Sequence, residues 1–254
     1  MCVLRTSTFE ARVLYLGVLM ADNPERRRFI RMGGGLALAV GAKMLGISTA
    51  HAAVSVDCPI YMFHITSASP VEAVIRANAR VGRIPVTIAD LGAIIRGEAP
   101  VPEEPLFALT FDDGYLIQYQ QPARILDRYE VPGTFFVMGT EWKGDGVNTY
   151  MKHEQIQDLH TRGHEIGSHT TDHANLLAVR ARDTEAYWSE LVDSKAQLEE
   201  LLESEVTSFA YPNGAFDVNM ARDVSTIYAT AVSTRSGAIQ VETENYFLRR
   251  TKVN

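Results

Sequence analysis

Short apolar strands alternate with helical segments about seven times between residues 59 and 248, and this alternation restricts the possible folds more than any other feature. Such alternation is typical of parallel strands joined by helical crossovers, in an open sheet or a barrel. The predicted strands are residues 59–65, 106–111, 133–138, 165–168, 206–211, 228–232 and 246–248. The sequence therefore predicts an α/β domain with its chemically active side chains after the carboxyl ends of the strands.

The composition is that of a soluble globular protein. Of the 254 residues, 46% are apolar, which is enough to bury one sizeable core. The formal net charge is −7, and no basic patch indicates a nucleic-acid partner. Nucleic-acid binding is therefore not among the expected functions.

The first 52 residues have the organisation of an export signal. Residues 26–31 read Arg-Arg-Arg-Phe-Ile-Arg, a weakly apolar stretch follows at 33–46, and Ala-His-Ala stands at 50–52. These features predict a signal peptide of the twin-arginine type, too short and too rich in glycine to be a membrane span. Residues 53–254 are then the mature domain, located in the periplasm or outside the cell. Residues 1–19 lie upstream of the signal, and Met20 is an alternative start that would leave them untranslated.

Two acidic residues directly follow the predicted strand at 106–111. Residues 110–114 read Thr-Phe-Asp-Asp-Gly, so Asp112 and Asp113 stand at its carboxyl end. Neighbouring carboxylates repel each other, and burial makes each harder to ionise. A cation held by one of them would relieve the repulsion and leave the other free as a base. The alternative is a surface turn, because Asp-Gly is a common turn dipeptide.

Two histidines follow another predicted strand in the same way. Residues 169–173 read His-Thr-Thr-Asp-His, which separates His169 and His173 by four positions. On a helical turn this spacing puts both imidazoles on one side, within reach of one ion. Two histidines and one carboxylate form a three-ligand set with open positions, which is typical of a catalytic metal. The alternative is a pair of capping or surface histidines.

The segments 110–114 and 169–173 resemble the first two motifs of the NodB-homology polysaccharide deacetylases, carbohydrate esterase family 4. Residues 133–137, Gly-Thr-Phe-Phe-Val, and residues 163–169 are similar to that family as well. The resemblance implies a distorted (β/α) barrel of about seven strands. It also implies a hydrolase that removes N-acetyl groups from an amino-sugar polysaccharide or oligosaccharide.

The resemblance assigns roles by position. Asp112 would be the general base, and Asp113, His169 and His173 would bind a divalent metal ion. Zn²⁺ is the expected ion, with Co²⁺ or Ni²⁺ as alternatives. Such an ion would polarise the acetyl carbonyl and lower the pKa of the attacking water.

The later motifs depart from the family pattern. Residues 209–214, Phe-Ala-Tyr-Pro-Asn-Gly, resemble the third motif, where the backbone N–H of Asn213 would stabilise the oxyanion. That motif usually opens with an arginine that orients the catalytic aspartate, but Ala210 stands there, as in the Tyr-Pro-x-Gly branch of the family. The last motif usually supplies a histidine as general acid, and the tail at 246–251 has none. His64 and metal-bound water are the candidate substitutes.

Three aromatic residues are predicted to stack on sugar rings: Tyr115, Trp142 and Tyr211. Other functions remain open at this point, because a fold and a metal set do not determine the substrate. One alternative is a hydrolase of O-acetyl esters or cyclic amides on the same scaffold. Another is a carbohydrate-binding protein with a relic site. The sequence leaves the oligomeric state undetermined.

Overall fold

Short parallel strands separated by helices make up the described part of the chain. The computed structural model describes residues 56–139, 149–237 and 245–253, so the predicted signal peptide lies outside it. The strands are β1 (Ile60–Phe63), β2 (Ile84–Pro85), β3 (Leu106–Phe111), β4 (Thr134–Val137), β5 (Glu165–Ser168), β6 (Ser208–Ala210), β7 (Thr230–Val232) and β8 (Thr251–Lys252). The helices are α1 (Ala68–Arg80), α2 (Ile88–Ile95), α3 (Leu116–Gln120), α4 (Pro122–Tyr129), α5 (His153–Thr161), α6 (Leu176–Arg182), α7 (Thr184–Leu202) and α8 (Val218–Ser225). Among the helices in these ranges, none combines the length and the apolar character that a bilayer crossing needs.

The strands form one curled sheet that confirms the predicted barrel. Their order is β7-β6-β5-β4-β3-β1-β8, with β2 beside β3, and each of these pairings is parallel. Leu248 forms a parallel bridge with Val232 at the end of β7. Three residues later Thr251 pairs with Tyr61 of β1. The tail of the chain therefore lies between β7 and β1 and joins the two edges of the sheet.

Two buried apolar layers follow from the alternation of side chains along each strand. In β3, Phe107, Leu109 and Phe111 belong to a cluster shared with the surrounding helices. Leu106 and Ala108 belong to a second cluster, to which alternate positions of the other strands also contribute. Successive residues of a strand point to opposite faces, so the second cluster fills the barrel interior. Thr110 and Asp112 continue this inward-facing series toward the carboxyl end of β3.

Most strand predictions are confirmed, and one was wrong. At the start of α2, the Thr87 hydroxyl and the Asp90 carboxylate form a capping box. Helix α1 begins after Ser67, which has extended backbone angles. The predicted strand at 246–248 contributes only a bridge at Leu248, and the paired strand is β8.

Glu165 at the start of β5 connects the sheet to the amino terminus of α2. Its Oε2 accepts hydrogen bonds from the Ala89 N–H at 3.0 Å and from the Thr134 hydroxyl at 2.7 Å. A carboxylate is favourable beside the positive end of a helix. Burial nevertheless raises the pKa of Glu165 by more than the hydrogen bonds from Thr134 and Ala89 lower it.

Replacement of Glu165 by Gln should stabilise the protein more at pH 8 than at pH 5, relative to the wild type. Because the folded-state pKa of Glu165 lies above the unfolded value, the contribution of Glu165 to the stability of the wild type falls as the pH rises through this interval. Glutamine keeps an oxygen for Ala89 and Thr134 but does not titrate. Urea unfolding at both pH values measures the difference. An equal difference at the two pH values would show that Glu165 titrates normally.

Candidate active site

The two adjacent aspartates point to different surroundings because the backbone turns between them. Asp112 continues the inward-facing series of β3 and is only 2% exposed. Asp113 has a φ of 73°, in the left-handed region that residues other than glycine rarely adopt. This turn takes the Asp113 carboxylate away from that of Asp112 and toward the two histidines after β5. The carboxylates therefore have different partners.

Asp113, His169 and His173 converge on one point. Asp113 Oδ1 lies 3.2 Å from His169 Nε2 and 3.3 Å from His173 Nε2. One ligand atom from each of the three residues falls within 4.8 Å of the others. His169 is buried and its Nδ1 lies 2.7 Å from the Ala210 carbonyl oxygen, a contact that leaves Nε2 facing Asp113.

The donor atoms of this cluster suit a divalent cation. Asp113 Oδ1 is buried, and no hydrogen bond of acceptable geometry reaches it from the described residues. A buried carboxylate oxygen without a partner is costly, whereas two imidazole nitrogens and one carboxylate oxygen are a ligand set that Zn²⁺ accepts. Asp113, His169 and His173 therefore fit the metal ion that the family implies.

The charges around the cluster also favour a cation. Burial raises the pKa of the Asp113 carboxyl, but His169 and His173 lower it by more, so this pKa lies below its ordinary value. Burial lowers the pKa of His169, yet Asp113 and Asp112 raise it above its ordinary value. The two aspartates thus favour positive charge at the imidazole, whether it is carried by a proton or by a metal ion.

Arg250 holds the carboxylate of Asp112 in a fork of two hydrogen bonds. Its Nη1 donates to Oδ1 at 2.6 Å and its Nη2 to Oδ2 at 2.7 Å. The guanidinium also donates to the Thr110 hydroxyl at 3.1 Å and to the Ser233 carbonyl oxygen at 2.8 Å. Arg250 is fully buried. Bidentate pairs of this kind fix the carboxylate in one orientation.

The arginine that is missing from the third motif therefore comes from the tail. Ala210 belongs to the barrel-interior cluster that is formed by inward-facing residues. The tail passes between β7 and β1, and Arg250 enters the same interior from there. The sequence prediction missed this residue because the last motif of the family calls for a histidine in the tail. The signal available in the sequence was an arginine within an apolar segment of the tail. Such an arginine is expected to be buried, and a buried arginine requires an acidic partner.

His64 stands beside Asp112 at the end of β1. Its Nε2 lies 4.0 Å from Asp112 Oδ2, and its side chain is 36% exposed. Gln118, which the sequence prediction missed, is fully buried and links the two strand ends. Its Nε2 donates to the Asp112 carbonyl oxygen at 2.6 Å and to the His64 carbonyl oxygen at 3.0 Å. The Gln118 side chain therefore holds the backbone of His64 in place relative to that of Asp112.

Asn213 occupies a sharp exposed turn after β6. Its φ is 58°, and the bonds of this turn run from the Gly214 N–H to the Tyr211 carbonyl oxygen and from the Ala215 N–H to the Pro212 carbonyl oxygen. The Asn213 N–H takes no part in these two bonds. A Cβ atom at Gly214 would lie 1.8 Å from the Thr234 hydroxyl oxygen, so only glycine allows the turn to pack against the segment after β7.

The three predicted sugar-stacking residues have different outcomes. Tyr115 is half-buried and stacks on Tyr150, with ring centroids 4.9 Å apart. Burial, and then the charge of Asp113, raises the pKa of Tyr115, which places this phenol beside the candidate metal ligands. Tyr211 was predicted wrongly: it is fully buried, its ring packs on Phe216, and its hydroxyl donates to the Tyr246 carbonyl oxygen. Trp142 lies outside the described residues.

Comparisons with known proteins point to one family. The family model described as polysaccharide deacetylase matches residues 100–232, more than half of the chain. The chain is 30% identical over 154 residues to a Bacillus subtilis (strain 168) protein named "Putative polysaccharide deacetylase YxkH". This match covers 60% of the chain and 53% of the relative, so the chain spans about half the length of that protein. It is also 35% identical over 78 residues to a chitin deacetylase of Colletotrichum lindemuthianum, which covers 31% of each protein.

Solved structures share the fold at low sequence identity. The deacetylase PplD of Streptococcus pyogenes has a TM-score of 0.70 at 19% identity, covering 79% of this chain and 93% of PplD. IcaB of Ammonifex degensii has a TM-score of 0.66 at 23% identity, with the same coverage of both chains. At these identities the likeness establishes the distorted barrel and nothing more.

Replacement of Arg250 by Ala should lower the free energy of unfolding by about 3–5 kcal/mol at neutral pH, because it leaves Asp112 buried without its cation. Urea unfolding measures the loss, and the half-exposed neighbour Arg249 replaced by Ala is the matched control. Adding Asp112→Asn to Arg250→Ala should recover part of the loss, because the unpaired charge is removed. Equal effects of the two arginine substitutions would contradict the importance of the buried pair.

Proposed function

The chain belongs to the polysaccharide deacetylase family, and on this basis we propose that it is a metal-dependent hydrolase that removes N-acetyl groups from an amino-sugar polysaccharide or oligosaccharide. The observation that carries the proposal is the pairing of two neighbouring aspartates with different partners. Asp113 joins His169 and His173, while Asp112 is held by Arg250. This arrangement separates ion binding from proton transfer.

Asp113, His169 and His173 would hold the divalent ion, with Zn²⁺ expected and Co²⁺ or Ni²⁺ as alternatives. When bound, such an ion supplies a Lewis acid for the acetyl carbonyl and the attacking water. Three protein ligands leave open positions of the kind that catalytic zinc sites keep. The ligand set by itself does not select among these ions.

The residues around the ion would move the protons. Asp112 accepts a proton from the water that attacks the acetyl carbon, and Arg250 keeps its carboxylate in one orientation for this step. The Asn213 N–H donates to the carbonyl oxygen as negative charge develops there. The C–N bond then breaks, and the leaving nitrogen needs a proton. His64 is the candidate donor, because its side chain is partly exposed and its Nε2 lies 4.0 Å from Asp112 Oδ2.

Acetate release from chitin oligomers and poly-N-acetylglucosamine by the Zn²⁺-loaded protein tests the proposal. Asp112→Asn should retain stoichiometric metal and lose turnover by about 10²–10⁴-fold, because it removes the base but no metal ligand. Asp193→Asn on the exposed face of α7 is the matched control and should retain turnover. His173→Ala should lose stoichiometric metal.

Three results would contradict this proposal. Acetate release from acetylated xylan alone would favour an O-acetyl esterase. Sugar binding without acetate release from any of these polymers would favour a carbohydrate-binding protein with a relic site. Unchanged metal content in His173→Ala would show that the ligand assignment is wrong.

We also propose that residues 1–52 direct export by the twin-arginine route and are removed before the mature domain at 53–254. The support is the order of the features in the sequence: a twin-arginine run, a short apolar stretch and Ala-His-Ala. Replacing Arg26 and Arg27 together by Lys should retain the protein in the cytoplasm of the native host. Amino-terminal sequencing of the exported wild type should begin near Ala53. Export of the double variant at the wild-type level would contradict this route.

A further inference from the structure

The loop that carries both candidate histidine ligands has a strained backbone. Within residues 169–173, Thr170 has a φ of 68° and His173 a φ of 63°. The left-handed region is unfavourable for residues other than glycine, and especially for a β-branched threonine. A loop with two such residues keeps its shape only where surrounding contacts hold it.

The first half of this loop is held by the sheet. The His169 N–H donates to the Val137 carbonyl oxygen at 2.9 Å, and the Thr170 carbonyl oxygen accepts from the Gly139 N–H at 2.9 Å. Together with the contact of the His169 ring to the Ala210 carbonyl oxygen, these bonds fix the loop up to Thr170. They do not reach the half that leads to His173.

Glu190 of α7 holds the second half. Its Oε2 accepts the Thr171 N–H at 3.0 Å and also accepts the Thr171 hydroxyl. Hydrogen bonds to a carboxylate are stronger than those between neutral groups, and here two of them meet at one oxygen. The helix behind Glu190 is rigidly placed, because Leu191 is fully buried and its carbonyl oxygen accepts the Tyr228 hydroxyl at 2.8 Å. Thr171 stands midway between the two histidines, so this contact fixes the backbone from which His173 reaches Asp113.

We propose that Glu190 is a positioning residue of the metal site, which holds the second half of the loop at 169–173 in the conformation that brings His173 to Asp113. The proposal rests on the proposed metal-dependent function. Glu190 is not one of the three candidate ligands. It acts through Thr171, as residues outside the direct ligands of metal sites commonly orient those ligands. Because Glu190 stabilises the strained loop before the metal binds, removal of Glu190 lowers the affinity for the metal.

Calorimetric titration of Zn²⁺ into the chelator-treated full chain tests this role. Glu190→Ala should raise the Kd for Zn²⁺ about tenfold or more, since loss of such supporting contacts typically costs 10–100-fold in metal affinity. Glu190→Gln should remain near the wild-type Kd, because an amide oxygen can accept the same two bonds. Glu200→Ala, at an exposed position of the same helix, is the matched control and should leave the Kd unchanged. A general loss of helix stability would not produce this difference between Ala and Gln.

The outcomes separate this role from the proposed function. If the wild type binds Zn²⁺ and folded Glu190→Ala binds it within twofold of the wild type, the positioning role is overturned and the metal site stands. If the wild type binds no divalent ion, both proposals fail. Should Glu190→Ala not fold, Thr171→Val removes the hydroxyl donor and Thr171→Ser keeps it. Equal Kd values for these two variants would then overturn the positioning role of Glu190.

Discussion

The buried pair of Arg250 and Asp112 links the closure of the barrel to the orientation of its key carboxylate. Both side chains are almost completely inaccessible to water, so neither charge is tolerable without the other. The guanidinium reaches Asp112 only because the tail lies between β7 and β1. The same group donates to Thr110 and Ser233, which ties β3 to the segment after β7. One side chain near the end of the chain therefore serves both the sheet and the site.

Backbone conformation resolves the conflict between two adjacent carboxylates. Asp112 follows the pleat of β3 into the barrel and meets a guanidinium, whereas the left-handed turn at Asp113 directs the next carboxylate to two imidazoles. Asp112 thus has a positively charged partner and Asp113 has partners that can bind a cation. The repulsion between the two carboxylates is therefore reduced at each of them separately. In the proposed reaction this separation allows Asp112 to accept a proton while Asp113 stays bound to the metal.

The candidate metal site is assembled from distant elements and is supported from outside. Asp113 follows β3, the histidines follow β5, the carbonyl oxygen at the His169 ring comes from β6, and Glu190 reaches the histidine loop from α7. Such a site requires every element to keep its place within a fraction of an ångström. The parallel sheet keeps these elements in place, because its strand ends meet at one edge. The strained histidine loop, in contrast, keeps its shape through contacts with residues outside the loop.

The sequence by itself determined the strand and helix alternation, the acid pair and the histidine pair, because these depend on spacing and on short-range patterns. The same local patterns placed Asp113, His169 and His173 in one site, since successive parallel strands end at one edge. Only the tertiary structure decided that Arg250 replaces the arginine missing at Ala210, that His64 stands beside Asp112, and that Tyr211 is buried. These facts depend on strand register and on contacts between segments far apart in the chain, up to 138 residues for Arg250 and Asp112, which no local pattern records.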